Sequence, residues 1–247
     1  MPDENKTSSS ESRKFATTHW SVILSAGDTS SPQHEQALSE LYQSYWYPLY
    51  AYLRRCGYDT HQAEDYTQSF FAQLLEKHSL HNVKPTPGKF RSFLLTAIRH
   101  FVADEHDHAK AIKRGGTTKK LSLDFEKAER QYDHSLANNM SPERLFERSW
   151  AMTMLQRTMN RLEVEFTSKN KQAYFTSLST YIGGQKTDVP YHTLATELNM
   201  TEGAVKVAVH RLRKRYQELL RNEIAQTVAA EDQIDEEIRD LFIALAF

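Results

Sequence analysis

Residues 191–222 read YHTLATELNMTEGAVKVAVHRLRKRYQELLRN. Leu194, Ala195 and Leu198 recur at the spacing that gives a short helix one apolar face. Asn199 stands where the chain must turn sharply, and asparagine tolerates the left-handed conformation better than most residues. Thr201 offers an oxygen to cap a second helix, and Glu202 faces that helix's positive end. Val205, Ala208, Val209, Leu212 and Tyr216 share one face of it, while Gly203, Lys206, Val207, His210, Arg211 and Lys214 project elsewhere. A short helix, a tight turn and a basic-faced second helix predict a helix-turn-helix. The second helix fits a DNA major groove, its early residues at base edges and Arg213 and Arg215 at phosphates. The plainer alternative is a helical hairpin with a solvated basic face.

The segment carries six basic and three acidic residues, so one copy should bind DNA weakly and in a salt-sensitive way. A second basic segment, residues 89–120, holds eight basic and three acidic side chains. Two separated basic stretches suggest two contacts with a polyanion, although the whole chain balances to a net charge of −1. Residues 34–76 are net −4 and residues 223–247 net −6.

The composition supports helices throughout. Eight glycines and seven prolines in 247 residues are about half the usual share of ~12%, which disfavours a sheet-rich sandwich, barrel or propeller. The single cysteine, Cys56, excludes an intrachain disulfide framework and a cysteine zinc cage. Residues 1–14 lack the apolar core of a signal peptide. The longest apolar run, LFIALAF from Leu241 to Phe247, is far below the ~20 residues of a membrane span. A soluble, cytoplasmic, all-α protein is expected.

Along the chain, residues 1–14 read as a disordered tail and 15–33 as a lead-in. Apolar residues then repeat from Leu38 to Leu53, with a kink or break expected at Pro48. Gly57 ends that unit, Asp59 or Thr60 caps the next, and Ala63, Tyr66, Phe70 and Leu74 form its stripe. Another helix spans about 90–113 on a seam of Phe93, Leu94, Ala97, Ile98 and Phe101. Residues 115–141 have the polar composition of a flexible linker. Ser141-Pro142-Glu143 starts a helix carrying Leu155, Met159, Leu162 and Phe166, and Tyr174, Leu178 and Ile182 lie on another. Two helical domains, 34–114 and 142–222, are predicted, followed by an acidic amphipathic helix in 223–247.

The segment 191–222 resembles region four of bacterial sigma factors of the extracytoplasmic-function (ECF) type, in the sigma-70 superfamily. LYQSYWYPLYAYLRR followed by QAEDYTQSFFAQLLE is similar to region two of that family, and FRSFLLTAIRHFVADEHDHAKAIKR to its later part. The segments stand in the order and spacing of that family, and the linker, the basic helix ending at Gly115-Gly116 and the long C-terminal tail further resemble its larger planctomycete-like members. The resemblance implies an alternative sigma factor, not an enzyme and needing no cofactor, with core RNA polymerase and promoter DNA as partners. It implies polymerase contacts at Asp65 and Gln68, and DNA contacts at Arg91, Arg99, His100, Lys110, Lys113 and Arg114. In region four the matching DNA contacts are Lys206, His210, Arg211 and Lys214. Ser69 stands where the family commonly has glutamate, and Asp104, Glu105 and Asp107 dilute the basic helix.

A stand-alone helix-turn-helix regulator would explain residues 191–222 but has no use for a polymerase-binding helix. His100, Asp104 and His108, at i, i+4 and i+8, are the best candidate metal ligands and would suit a metal-dependent hydrolase. A solvated polar face is the default for them. Cys56, beside Arg54 and Arg55, reads as a packing residue or as a thiol with a lowered pKa. Phe90, Phe93 and Phe101 are either core or base-stacking residues. Two inhibitors are conceivable, an anti-sigma factor and the chain's own C-terminal tail. In the tail, Ile234, Ile238, Leu241, Phe242 and Leu245 line one stripe beside an acidic face. Such a helix would either cover a working surface or complete the packing of the second domain.

Overall fold

The computed structural model describes residues 32, 34–76, 89–111, 124–135, 140–183, 190–228 and 230–246, the side chains of 75–76, 106–111 and 134–135 excepted. The expected tail at 1–14 lies outside the described residues, as does the lead-in apart from Pro32. The fold is all-α: among the described residues every regular element is helical. In chain order these are α1 (His34–Arg55), α2 (Thr60–Glu76), α3 (Phe90–Ala111), α4 (Phe125–Ser135), α5 (Pro142–Thr167), α6 (Gln172–Ser179), α7 (Tyr191–Glu197), α8 (Glu202–Ala225) and α9 (Ile234–Leu245). A short 3-10 turn, Glu231–Gln233, leads into α9.

Helix α1 does not break at Pro48. A proline inside a helix costs ~3 kcal/mol, yet Tyr45, Leu49, Tyr50 and Leu53 around it are almost wholly buried. Each such side chain returns about 1.5–3 kcal/mol on burial, so packing outweighs the lost hydrogen bond. Asp59 caps α2 reciprocally: its Oδ1 accepts from Gln62 N at 2.8 Å, and Gln62 Oε1 accepts from Asp59 N at 3.1 Å. Ala63, Phe70 and Leu74 are buried as their spacing predicts.

The segment read as a linker contains α4. Asp124 Oδ1 caps it by accepting from Lys127 N at 3.0 Å. Its face of Ala128 and Tyr132 is buried on the same core as α1, and Phe125 meets Trp46 edge-on at 5.8 Å. Glu129 accepts from Arg54 at 2.5 and 3.1 Å and from the Tyr50 hydroxyl. A cap and an i, i+3, i+7 apolar set were present in the sequence, masked there by charged neighbours.

Helix α5 is the beam of the molecule. Ser141 caps it, Oγ accepting from Arg144 N at 3.3 Å, with Pro142 in the first turn as expected. At 1.5 Å per residue its 26 residues run about 39 Å. Its first half buries Leu145, Phe146, Trp150, Ala151 and Met154 in one core with α1–α4, the end of α8, and α9. Its second half buries Leu162 in another core with α6, α7 and the start of α8. Helix α8 likewise passes from one core to the other, with Val205, Val209 and Leu212 in the second and Leu220 and Ile224 in the first. The boundary expected before residue 142 is therefore not a gap between cores, because α5 belongs to both.

Candidate nucleic-acid interface

The α7–α8 unit is built as its sequence dictates. Asn199 takes φ +52°. Met200 N donates to Ala195 O at 2.8 Å and Asn199 N to Thr196 O at 3.2 Å, the paired bonds that close a helix through a left-handed residue. Thr201 Oγ1 then accepts from Ala204 N at 3.2 Å, opening α8 two residues later. Leu194, Ala195, Val205, Val209 and Leu212 are buried, which fixes the angle between the helices and turns the opposite face of α8 outward.

On that outward face Lys206, His210, Arg211 and Lys214 are exposed, with Val207 48% exposed among them. Lys206 pairs with Glu202 at 2.8 Å, and this hydrogen bond holds its ammonium above its ordinary pKa. Arg213 and Arg215, expected at phosphates, are engaged by groups of their own chain, the Arg215 side chain remaining 41% exposed. Arg213 Nε donates to Tyr181 O at 2.9 Å. Arg215 forks onto Glu165 at 2.6 and 3.0 Å and reaches Glu218 at 3.1 Å. The reason is reach: the two lie on different flanks of α8, about 200° apart, and each flank faces a neighbouring group, Tyr181 just after α6 for Arg213 and Glu165 on α5 for Arg215.

On α2, Asp65 is exposed and Gln68, one turn on, is half-buried. Arg99 and His100 are exposed on α3. Arg99 Nε donates to the Tyr52 hydroxyl at 3.0 Å and its Nη2 to Glu143 at 2.5 Å, so it is positioned by α1 and the start of α5. Lys113 and Arg114 lie outside the described residues, as does the side chain of Lys110.

Arg91 is the exception. It is 6% exposed, with its guanidinium 4.5 Å above the Trp150 ring. Its Nη1 is bonded to Glu237 and its Nη2 donates to Asp240 at 3.1 Å. Burial works to lower the Arg91 pKa, but the charge and hydrogen bond of Glu237 together with the charges of Glu147 and Asp240 outweigh it, so the group stays above its ordinary value. In this arrangement Arg91 is not on an open DNA-facing surface, because α9 lies over it. Beside it, Lys89 bonds to Asp240 and lies 3.3 Å from both Glu236 and Glu237. The single-sequence signal for this cluster was the charge contrast between residues 89–120 and 223–247. Nothing in it specified which cation met which acid.

Phe90 and Phe101 are buried, and Phe93 stacks on Phe90 at 5.7 Å, so the three phenylalanines are occupied by packing. Cys56 is exposed just past the end of α1, and partial desolvation of its sulfur pushes the thiol pKa up rather than down. Neither sequence reading of Cys56 fits: it is not a core residue, and its thiol is not activated. Among the described residues no group of three His, Cys, Asp or Glu side chains is placed to hold a metal ion, and the side chain of His108 lies outside them. No described helix is long and apolar enough to cross a membrane.

Residues 41–111, from the first turns of α1 to the last residue of α3, match the family model for sigma-70 region 2. The match covers 71 of the 247 residues, and that stretch is similar to a region of transcription initiation factors. The match supports a sigma factor of the sigma-70 family, with a role in RNA polymerase binding and promoter melting. Core RNA polymerase and promoter DNA are the partners that this region implies. No curated protein and no solved structure is significantly similar to the chain.

Proposed function

We propose that the protein is an alternative sigma factor of the ECF type, which brings core RNA polymerase to a small promoter set and helps open the DNA. The observation that carries this reading is the sequel to region 2 in the same chain: α7, a left-handed turn at Asn199 and α8, whose outward face presents Lys206, His210, Arg211 and Lys214. As a helix-turn-helix it would read the upstream (minus-thirty-five) element, with α8 in the major groove. The exposed Asp65 and the adjoining Gln68 would meet the polymerase clamp. Arg99 and His100 would face the downstream (minus-ten) element, with Lys110, Lys113 and Arg114 further along the same basic segment. Arg213 and Arg215 take a supporting role in this reading, bracing α8 against its own domain.

A sigma factor needs no catalytic group of its own, because polymerase performs the chemistry. It has to hold two DNA contacts, each weak alone, so that binding at one raises the effective concentration at the other. Run-off transcription with core polymerase, with and without the protein, on a pool of bacterial promoter fragments tests the reading. New, defined start sites are expected. Silence together with no binding to core polymerase would sink the sigma assignment and leave a DNA-binding regulator.

A further inference from the structure

The C-terminal segment converges on one end of α3. Thr227 O accepts from Phe90 N, the first amide of α3, at 3.5 Å. Glu236, Glu237 and Asp240 of α9 surround Lys89 and Arg91. A helix N-terminus with two cations beside it has the chemistry of an anion site. Here protein oxygens fill it, three carboxylates against two cations. The fit is incomplete: Arg91 Nε is buried with no acceptor.

An ion pair this deeply buried is weak evidence for stability, since desolvating the charges offsets most of their attraction. The acidic residues are also unevenly committed. Glu237 is 1% exposed and seats the helix, with Ile234 and Leu241 buried on either side. Glu236 and Asp240 are 60% and 31% exposed and add charge at the rim. Helix α9 is only 12 residues long and leaves Phe242 and Ile243 more than half exposed. Its hold on the molecule is small beside that of α5.

We propose that Lys89 and Arg91 form a phosphate-binding seat for DNA, which α9 occupies with carboxylates, so that α9 and the nucleic-acid backbone compete for one site. The proposal rests on the sigma reading for its biological meaning, because α3 lies within region 2. A tetrahedral phosphate offers oxygens on more sides than a carboxylate, and guanidinium binds it in the same forked geometry. Displacement of α9 would expose both cations and the α3 N-terminus together. The chain would then bind DNA through region 2 only after its own tail had withdrawn.

The test uses the full chain and a fluorescein-labelled 30-nucleotide single-stranded DNA. The E236Q/D240N variant removes the two rim charges and leaves Glu237, Ile234 and Leu241 in place, so α9 keeps its apolar seat. Anisotropy titrations should show binding at least about fivefold tighter than wild type. With Glu237 still on Arg91, the one newly available cation, Lys89, should steepen the logarithmic salt slope by about 0.7, at ~0.7 per phosphate contact on a single strand. Adding K89A to that variant should remove much of the gain. An unchanged affinity and slope in a variant with wild-type circular dichroism would overturn the proposal, as would a gain indifferent to K89A.

Hydrogen exchange on the unaltered protein gives an independent reading: saturating DNA should deprotect residues 234–245, and unchanged protection there would also overturn it. Core-polymerase binding, measured in parallel, separates the two ideas. Loss of protection in α9 without polymerase binding would refute the sigma reading and leave the seat intact. Promoter-directed transcription with α9 still protected would do the reverse.

Discussion

Asn199 holds the backbone at φ +52°, and Thr201 caps the helix that follows, so two polar residues either side of Met200 set the direction of α8. Loss of a threonine cap costs about 1 kcal/mol. T201A should therefore lower the unfolding free energy by that amount, read as a lower urea midpoint at unchanged slope, and weaken DNA binding less than R211A does. Arg211 is exposed on the outward face of α8 and braces no described contact. R211A should leave unfolding unchanged while reducing the affinity for promoter DNA several-fold, as judged by electrophoretic mobility shift. A drop in stability instead would mean that Arg211 supports the fold. Arg213 and Arg215 should behave oppositely. R215A removes a fork onto Glu165 and should show its main effect in stability.

At the scale of elements, α4 depends on a titratable contact. Burial works to raise the Glu129 pKa, but hydrogen bonds from Arg54 and Tyr50 outweigh it, and the carboxyl lies below its ordinary value of 4.5. A carboxyl depressed in the folded state contributes stability that is fully present above the unfolded value and is lost as pH falls through the folded one. Helix α4 should thus stay docked at neutral pH and loosen below about pH 4.5, read as hydrogen exchange at residues 125–133. E129Q should weaken α4 at neutral pH and flatten that dependence. An α4 equally protected at pH 7 and pH 3 would contradict the assigned role of the Arg54 pair. Helix α9 shares the same sign, since Lys89 and Arg91 outweigh burial and hold Asp240 below its ordinary pKa.

At the scale of the whole molecule, α5 and α8 thread both cores, so the two halves should not melt separately. Calorimetry should give one transition whose calorimetric and van't Hoff enthalpies agree. Two resolved transitions would show that the halves are energetically independent despite the shared helices. Trp150 is fully buried in the first core and carries Arg91 on its face. W150A should cost about 3–5 kcal/mol and lower that single transition as a unit.

Whatever repeats locally was legible in the residues alone. Helical spacing of apolar residues placed α1–α3 and α5–α8, caps at Asp59, Ser141 and Thr201 marked their starts, and Asn199 marked the turn. These features are legible because each depends on residues within one or two helical turns. Tertiary structure alone decided the rest. It carried α1 intact through Pro48, recruited α4 from a polar stretch, joined the two cores through α5, buried Arg91 and tied Arg213 and Arg215 to groups of their own chain. The physical reason is common to all four. A buried aromatic surface or a distant carboxylate outweighs a local preference of a few kcal/mol, and such a partner lies as many as 151 positions away, as Asp240 does from Lys89.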